Sequence, residues 1–361
     1  MSDSFLARPS NFDTHYTPSP KRYDAFKYRK CGKSGLKLPP LSLGLWQNFG
    51  DVDPYSNSRE MILGAFDMGI THFDLGNNYG RPQGSAEKTF GRVLKEDLAA
   101  YRDEIIVSTK AGYDMWKGPY GENCSKKHII ASVDQSLKRL GLEYVDIFYS
   151  HKFDVDTPLE ETMEAFAQIV KQGKALYLGI SSYGPAETKR AHKILNDMGV
   201  RSLLLHQPSY SMFNRWIEED LLDTLEKLGM GAIVFTPLAQ GLLSDKYANG
   251  KIPEVSRANN KDTLLPPSLV TENVVKKLQG LSAIAKKRGQ TLSQMALSWV
   301  LRDPRVVSAV VGARTLEQIK ENVRALDNLA FSPEELREID KYAIDVSGVN
   351  LWPPNCQTSQ V

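Results

Sequence analysis

Residues 145–181 read VDIFYSHKFDVDTPLEETMEAFAQIVKQGKALYLGIS. Val145 to Ser150 and Ala175 to Ser181 are short runs of aliphatic, β-branched and aromatic residues, the composition of strands buried on both faces. Leu159 to Lys171, between them, carries apolar residues at helical period. A buried strand, a helix and a second buried strand form the unit in which two parallel strands are joined by a crossover helix. Whether this unit is isolated or repeated decides the fold.

Working outward, it repeats. Further strands are expected at Pro40 to Leu45, Ile70 to Asp74, Glu104 to Thr109, Ser202 to His206, Ala232 to Phe235 and Val306 to Val311. Helices are expected at Ser58 to Met68, Ser85 to Leu94, Ser125 to Leu140, Pro185 to Asp197 and Glu219 to Leu228. Two more pieces, Thr271 to Arg288 and Thr291 to Leu301, precede the last strand. Ser332-Pro333-Glu334-Glu335 opens a final helix, and Lys227-Leu228-Gly229 ends an earlier one. Eight strands alternating with helices favour a closed (β/α)8 TIM barrel of the α/β class over an open doubly wound sheet, which usually has fewer strands. One such barrel accounts for residues 28–361, behind an irregular N-terminal arm over residues 1–27. Two connections are long and lack either period: Gly112 to Asn123 after the third strand, and Gly241 to Pro267 after the seventh. Loops of that size in compact domains tend to be functional.

Composition narrows the function. The 361 residues carry 45 Lys and Arg against 43 Asp and Glu, interspersed, which argues against nucleic acid or an anionic membrane as partner. Three cysteines, Cys31, Cys124 and Cys356, are too few and too scattered for a disulfide framework or a multi-cysteine zinc site, and fit a reducing cytoplasm. No apolar run approaches membrane-spanning length, and the first residues lack the apolar centre of a signal peptide. Cys31-Gly32-Lys33-Ser34-Gly35 lacks the first glycine of a phosphate loop and reads as a turn. No G-x-G-x-x-G follows a strand, and no H-E-x-x-H occurs.

In an eight-fold barrel, polar residues at the C-terminal ends of strands face the active-site mouth. Here those ends carry Asp74 and Tyr79, Lys110, His151, Ser181 with Ser182, Gln207, and Thr236. An acid, a phenol, a lysine and an imidazole converging there suggest proton-transfer chemistry, because lysine is almost never buried unpaired. Asp74 supplies the counter-charge that Lys110 needs. Lys110 is expected to pull the Tyr79 phenol down toward neutrality, and His151 to share with Tyr79 the binding of a carbonyl oxygen.

Asp74, Tyr79, Lys110 and His151, in that order and at those strand ends, resemble the catalytic tetrad of the aldo-keto reductases. The resemblance spans Tyr28 to roughly Trp352. The segments GLEYVDIFYSH, GKALYLGISSY, FTPLAQGLLSDKY and GARTLEQIKEN resemble the branch holding potassium-channel β-subunits. LSLGLWQNFG, ITHFDLGNNYG, STKAGYDMWKGPYG, HQPSYSMFNRW and the tail NLW are similar to bacterial L-glyceraldehyde 3-phosphate reductases of the same branch. The resemblance implies metal-free hydride transfer between NADPH and an aldehyde or ketone, with Tyr79 protonating the oxygen.

Cofactor contacts follow from the same resemblance. Leu45 and Trp46 would border the nicotinamide, Asp74 lies beside it, Ser181 and Gln207 would hold its carboxamide, and Phe235 would stack on the ring. Ser182 stands where the superfamily commonly has asparagine. Thr236, Pro237, Leu238, Ala239 and Gln240 would form the pyrophosphate strap, with Lys246 and Arg257 closing over it. Gly312, Arg314, Gln318, Glu321 and Asn322 would hold the adenosine end, where the start of a helix near Thr315 favours an anion. Trp46, Tyr79, Tyr113, Trp116 and His151 are the expected substrate contacts, and Lys152 is an option for a phosphate on the substrate. Small aldehydes, including L-glyceraldehyde 3-phosphate and methylglyoxal, and a tetrameric or octameric assembly are implied by the branch. A second reading makes the chain an NADPH-binding regulatory subunit of a channel or another protein, with Met1 to Phe26 as effector arm. That arm has few basic or apolar residues, and His151 stands where channel β-subunits have asparagine.

Overall fold

The repeated strand–helix unit closes on itself. In the computed structural model, which describes residues 16–254, 256–259, 265–346, 348–349 and 352–356, a small hairpin precedes eight parallel strands. The hairpin pairs β1 (Arg29–Lys30) with β2 (Lys37–Leu38). The barrel strands are β3 (Leu41–Gly44), β4 (His72–Asp74), β5 (Ile106–Ala111), β6 (Val145–Ser150), β7 (Ala175–Ser181), β8 (Leu203–Gln207), β9 (Gly231–Val234) and β10 (Val306–Val311). Each pairs with the next, and β10 returns to β3 with Ala309 opposite Leu41. This is the expected (β/α)8 barrel.

Helices fill the outer ring between successive strands: α1 (Tyr55–Asp67), α2 (Ser85–Val93), α3 (Lys126–Leu140), α4 (Leu159–Lys171), α5 (Pro185–Asp197) and α6 (Leu221–Leu228). Both α7 (Glu272–Lys287) and α8 (Leu292–Val300) lie between β9 and β10, and α9 (Leu316–Val323) and α10 (Pro333–Asp340) follow β10. Their ends obey local chemistry. Gly229 takes a left-handed φ of 74° to stop α6, where a side chain would be strained. Ser332 and Glu335 cap α10 reciprocally, with Pro333 in its first turn. No helix among the described residues is long and apolar enough to cross a membrane.

Two strands start two residues later than the sequence suggests, β4 at His72 instead of Ile70 and β5 at Ile106 instead of Glu104. Ala99–Glu104 form a 3-10 turn, and β5 begins at Ile106. The Arg102 guanidinium donates to the Ile105 and Tyr144 carbonyls and covers the Tyr144 ring, holding that turn out of the sheet. The shift brings Lys110 inside the strand, facing the barrel axis with Ser108 two residues before it.

The barrel interior has two characters. Ile147 and Tyr149 from β6, Leu205 from β8 and Ile233 from β9 pack with Cys31, Leu36 and Leu38 of the hairpin, which seals the end where the strands begin. The opposite wall is polar: Ser308, Ser42, His72 and Ser108 are all fully buried. The Cys31 to Gly35 turn belongs to that seal. At Gly32, φ is +50° and an added Cβ would meet the Gly229 carbonyl oxygen at 2.1 Å, so only glycine fits.

The described part of the N-terminal arm lies at the sealed end. Tyr16 Oη and the Ser19 amide donate to Asp67 Oδ1 at 2.8 and 2.7 Å, and Arg22 pairs with Glu104 at 2.7 Å. Residues 1–15, the greater part of the arm proposed as an effector, lie outside the described residues.

Candidate active site

In-register pairing brings the strand ends together. Gly44 stands opposite Asp74, Asp74 opposite Ser108, Lys110 opposite Tyr149 and Ser181 opposite Gln207. Asp74 therefore ends β4 beside Lys110, and the two side chains, 2% and 0% exposed, pair at 2.6 Å. The ammonium also donates to the Leu75 carbonyl at 2.7 Å. Asp74 Oδ1 accepts from the Ser108 hydroxyl at 2.8 Å and from Gln207 Nε2 at 3.1 Å. A buried charge is tolerated only with this density of partners.

Tyr79 reaches the same place from the loop after β4. The Leu75 and Asn77 amides donate to the carbonyls of Ser108 and Lys110, extending the sheet, and a turn then returns the Tyr79 amide to the Gly76 carbonyl. A Cβ at Gly76 would lie 2.8 Å from the Tyr79 ring, so the glycine makes room for the phenol to fold over its own loop. His151 follows β6, held by its amide on the Ala111 carbonyl at 2.9 Å. Its ring centroid is 5.6 Å from that of Tyr79, and Lys110 Nζ is 5.0 Å from the Tyr79 centroid. The four residues named from the sequence are brought together.

The electrostatics differ from the expectation in one respect. Burial, then Asp74 and Tyr113, push the Tyr79 phenol well above its ordinary value; it is not drawn toward neutrality. The reason is geometric: Lys110 directs its charge at Asp74 and the Leu75 carbonyl, so little of it acts on the phenol. Tyr79 therefore keeps its proton at neutral pH, as a donor. Burial, followed by the charges of Lys110 and Lys152, holds His151 well below its ordinary value, so its ring is neutral. Burial likewise holds His72 and His206 at about 4.

These depressed histidines carry a pH signature. The unfolded chain binds protons near pH 6.5 that the folded chain refuses, so their stability contribution is full above about pH 6.5 and is lost as pH falls toward 4. Tm measured from pH 8 to 4.5 is expected to hold until about pH 6.5 and then decline. A Tm constant down to pH 4.5 would contradict the neutral assignment.

A cleft of about 770 Å³ opens above the tetrad. At its floor lie Asp74, Tyr79, His151, Ser181 and Gln207, with Trp46 and Phe235 on the walls. Thr236, Pro237, Leu238 and Gln240 continue the wall after β9. Thr236, Ala239 and Gln240 all have φ between 48° and 59°, the left-handed backbone that functional loops sustain at a cost in strain. The wall then passes Lys246 and Arg257, and Arg257 donates to Gln240. It ends at Gly312, Arg314, Gln318, Glu321 and Asn322 around the start of α9, where Gln318 Oε1 accepts from the Arg314 amide at 2.9 Å.

Several expected contacts lie behind this wall. Leu45, Ser182 and Ala239 are buried outside the cleft lining; the Ser182 carbonyl accepts from the Asn355 amide at 2.7 Å. The expected substrate walls divide. Tyr113 is buried behind His151, ring centroids 4.6 Å apart, and Trp116 packs on His128 at 4.9 Å; neither lines the cleft. Trp116 thus packs on α3, and Tyr113 on the His151 ring. Lys152 is 5% exposed, its ammonium 5.4 Å from the Tyr113 ring, and is also absent from the lining.

Other lining residues had no role attached in the sequence. Trp352 contacts Trp46 and Phe235 edge-on at 6.3 and 5.3 Å, and its carbonyl accepts from the Ser209 hydroxyl. Gln47 and Asn48 also face the cleft, and Asn48 donates to the Ala313 carbonyl at 3.0 Å, tying the β3 and β10 loops together. A tryptophan followed by two prolines, beyond the last helix, was the available signal for the tail.

A barrel with an acid–lysine pair, a buried phenol and a neutral imidazole at its mouth defines a class. The model of the aldo/keto reductase family matches residues 40–344, and the chain belongs to that family of oxidoreductases. Among named relatives, L-glyceraldehyde 3-phosphate reductase of Escherichia coli O157:H7 is 57% identical over 338 residues, covering 92% of this chain and 97% of the relative. The protein of the same name from Escherichia coli strain K12 is 56% identical with the same coverage. A probable voltage-gated potassium channel subunit beta of Oryza sativa subsp. japonica is 34% identical over 87% of this chain and 95% of the relative.

Proposed function

We propose that the chain reduces small aldehydes with NADPH, L-glyceraldehyde 3-phosphate first and methylglyoxal second, with Tyr79 as general acid. The observation that carries this is the continuity of one cleft from the tetrad to the cations near α9. The residues fit the cofactor. Arg257, largely enclosed, has its pKa lowered first by burial and also by the like charge of Arg314 nearby. Two guanidiniums on the wall of one cleft favour an anion beside them, and the 2′-phosphate would supply one. An added Cβ at Gly312 would meet only the Arg257 guanidinium, at 4.0 Å, leaving open space beside the start of α9 for the adenosine phosphates.

When bound, NADPH supplies the hydride. The chain's own part is placement and proton delivery. Ser181, Gln207 and Phe235 would hold the nicotinamide end over the floor. Tyr79, protonated at neutral pH, donates to the substrate oxygen as charge develops there, and neutral His151 offers a second hydrogen bond to the same oxygen. Lys110, paired with Asp74 at 2.6 Å, offsets the carboxylate charge that would otherwise oppose a forming phenolate. Trp46 and Trp352 would enclose a short aldehyde and exclude bulk water.

The test is cofactor discrimination. Arg314→Ala is expected to raise the Kd for NADPH about tenfold, the weight of one charge-assisted contact, and to leave NADH within twofold. Equal effects on both cofactors would remove the 2′-phosphate assignment. Named relatives among channel subunits keep the regulatory reading in view, but no observation at this cleft favours it. Cytoplasmic location and a tetramer or octamer complete the proposal, supported by the sequence features above.

A further inference from the structure

The polar half of the barrel interior forms one chain of hydrogen bonds that the tetrad alone does not explain. Ser308 Oγ lies 2.6 Å from Ser42 Oγ, Ser42 Oγ 2.8 Å from His72 Nδ1, His72 Nε2 2.9 Å from Ser108 Oγ, and Ser108 Oγ 2.8 Å from Asp74 Oδ1. Strands β10, β3 and β5 contribute one member each and β4 two, His72 and Asp74, and every member is at most 2% exposed. Opposite them the interior is apolar. A buried polar column in a barrel core has to be fully satisfied to be tolerated, and this one ends on the Asp74 carboxylate.

Proton accounting gives the column a direction. Asp74 is paired with Lys110 and accepts only, so the single Ser108 proton points at Asp74 Oδ1; the alternative acceptor, the Phe73 carbonyl, is 3.5 Å away and weaker. Ser108 must then accept from His72 Nε2, which places the ring proton there. Burial keeps His72 neutral, so Nδ1 bears no proton and accepts from Ser42. Ser42 in turn accepts from Ser308. All four donors therefore point the same way, toward the carboxylate.

We propose that His72 is a positioning residue of the active site: locked in its Nε2–H tautomer, it orients Ser108 onto Asp74 and so fixes the carboxylate that holds Lys110 beneath Tyr79. The charged and titratable groups facing Asp74 are Lys110 from β5, Tyr79 from the β4 loop, Tyr149 from β6 and His72 itself. Of these only His72 acts through an intervening hydroxyl. The direction of the column rests on its hydrogen-bond geometry together with the neutral state of the buried His72 ring. Its consequence for turnover rests on the reductase reading above, and the two are measured separately.

Histidine-selective labelling with nitrogen-15 and long-range proton–nitrogen correlation spectra of the full chain read the tautomer. Wild type is expected to show His72 neutral, with the proton on Nε2. With Asp74→Asn, the Lys110 ammonium retains the amide oxygen and the NH2 group faces Ser108. Ser108 then accepts from it and donates to His72, so the His72 proton is expected to move to Nδ1. An Nδ1–H tautomer in wild type, a cationic ring, or no change with Asp74→Asn would each overturn the column. For function, His72→Leu is expected to lower kcat about tenfold at unchanged NADPH affinity, the weight of one buried hydrogen bond. His72→Gln, whose amide can still donate to Ser108, is expected to recover most of it. Equal kcat in His72→Leu and wild type, or equal loss in Leu and Gln variants that both stay folded, would overturn the positioning role.

Discussion

Tyr79→Phe is expected to lower kcat for aldehyde reduction by about 10³-fold, the usual weight of a positioned general acid, while the Kd for NADPH stays within twofold. The phenol is 6% exposed, and the groups that act on it electrostatically are Asp74 and Tyr113 rather than the cations that would hold a phosphate. Removing one oxygen leaves the ring packed against Gly76 and His151. The high phenol pKa adds a sign. A group kept protonated to high pH supports reduction across the neutral and mildly alkaline range, and penalises the reverse direction, which needs the phenolate. Stopped-flow turnover together with cofactor fluorescence titration separates the two quantities. Parallel loss of both would mean that Tyr79 shapes the cofactor site and does not deliver the proton.

Lys110→Met is expected to cost stability as well as activity. The methionine replaces an ammonium that is fully buried and paired at 2.6 Å with a carboxylate only 2% exposed. Breaking one side of a buried pair leaves the other charge uncompensated, at about 3–5 kcal/mol. Asp74 would retain Ser108 and Gln207 as donors but lose its only counter-ion within hydrogen-bond reach among the described residues. Urea unfolding measures the loss. The double replacement Lys110→Met with Asp74→Leu is expected to recover part of the stability and none of the turnover, because the uncompensated charge is gone while Ser108 and Gln207 lose their shared acceptor. A single variant as stable as wild type would show that the pair is not energetically coupled.

Much of this was legible in the residues, for physical reasons that differ by element. Strands β6, β7 and β10 and helices α4 and α5 begin and end where the sequence places them, because continuous apolar runs and sharp turn residues bound them on both sides. β5 was misplaced by two residues, since nothing local announces that Arg102 will hold Ala99–Glu104 in a turn. The tetrad was legible as a chemical set at strand ends. The direction of the Tyr79 shift was not, because it depends on where the Lys110 charge is spent, a matter of ångströms. For Tyr113 and Trp116 the sequence gives the loop but not which way each ring turns, since their contacts with His151 and His128 depend on how that loop folds. The interior column around His72 was invisible, as it joins residues from β10, β3, β4 and β5 that share no local pattern.

The most direct measurement is the aldehyde-dependent loss of NADPH absorbance at about 340 nm with purified protein, using L- and D-glyceraldehyde 3-phosphate and methylglyoxal, since hydride transfer consumes the cofactor one for one. Turnover with L-glyceraldehyde 3-phosphate above the other two, preference for NADPH over NADH, and near-silence of Tyr79→Phe are the expected result. Protein that binds NADPH tightly yet consumes none with any of these aldehydes would contradict the assignment of this cleft to carbonyl reduction.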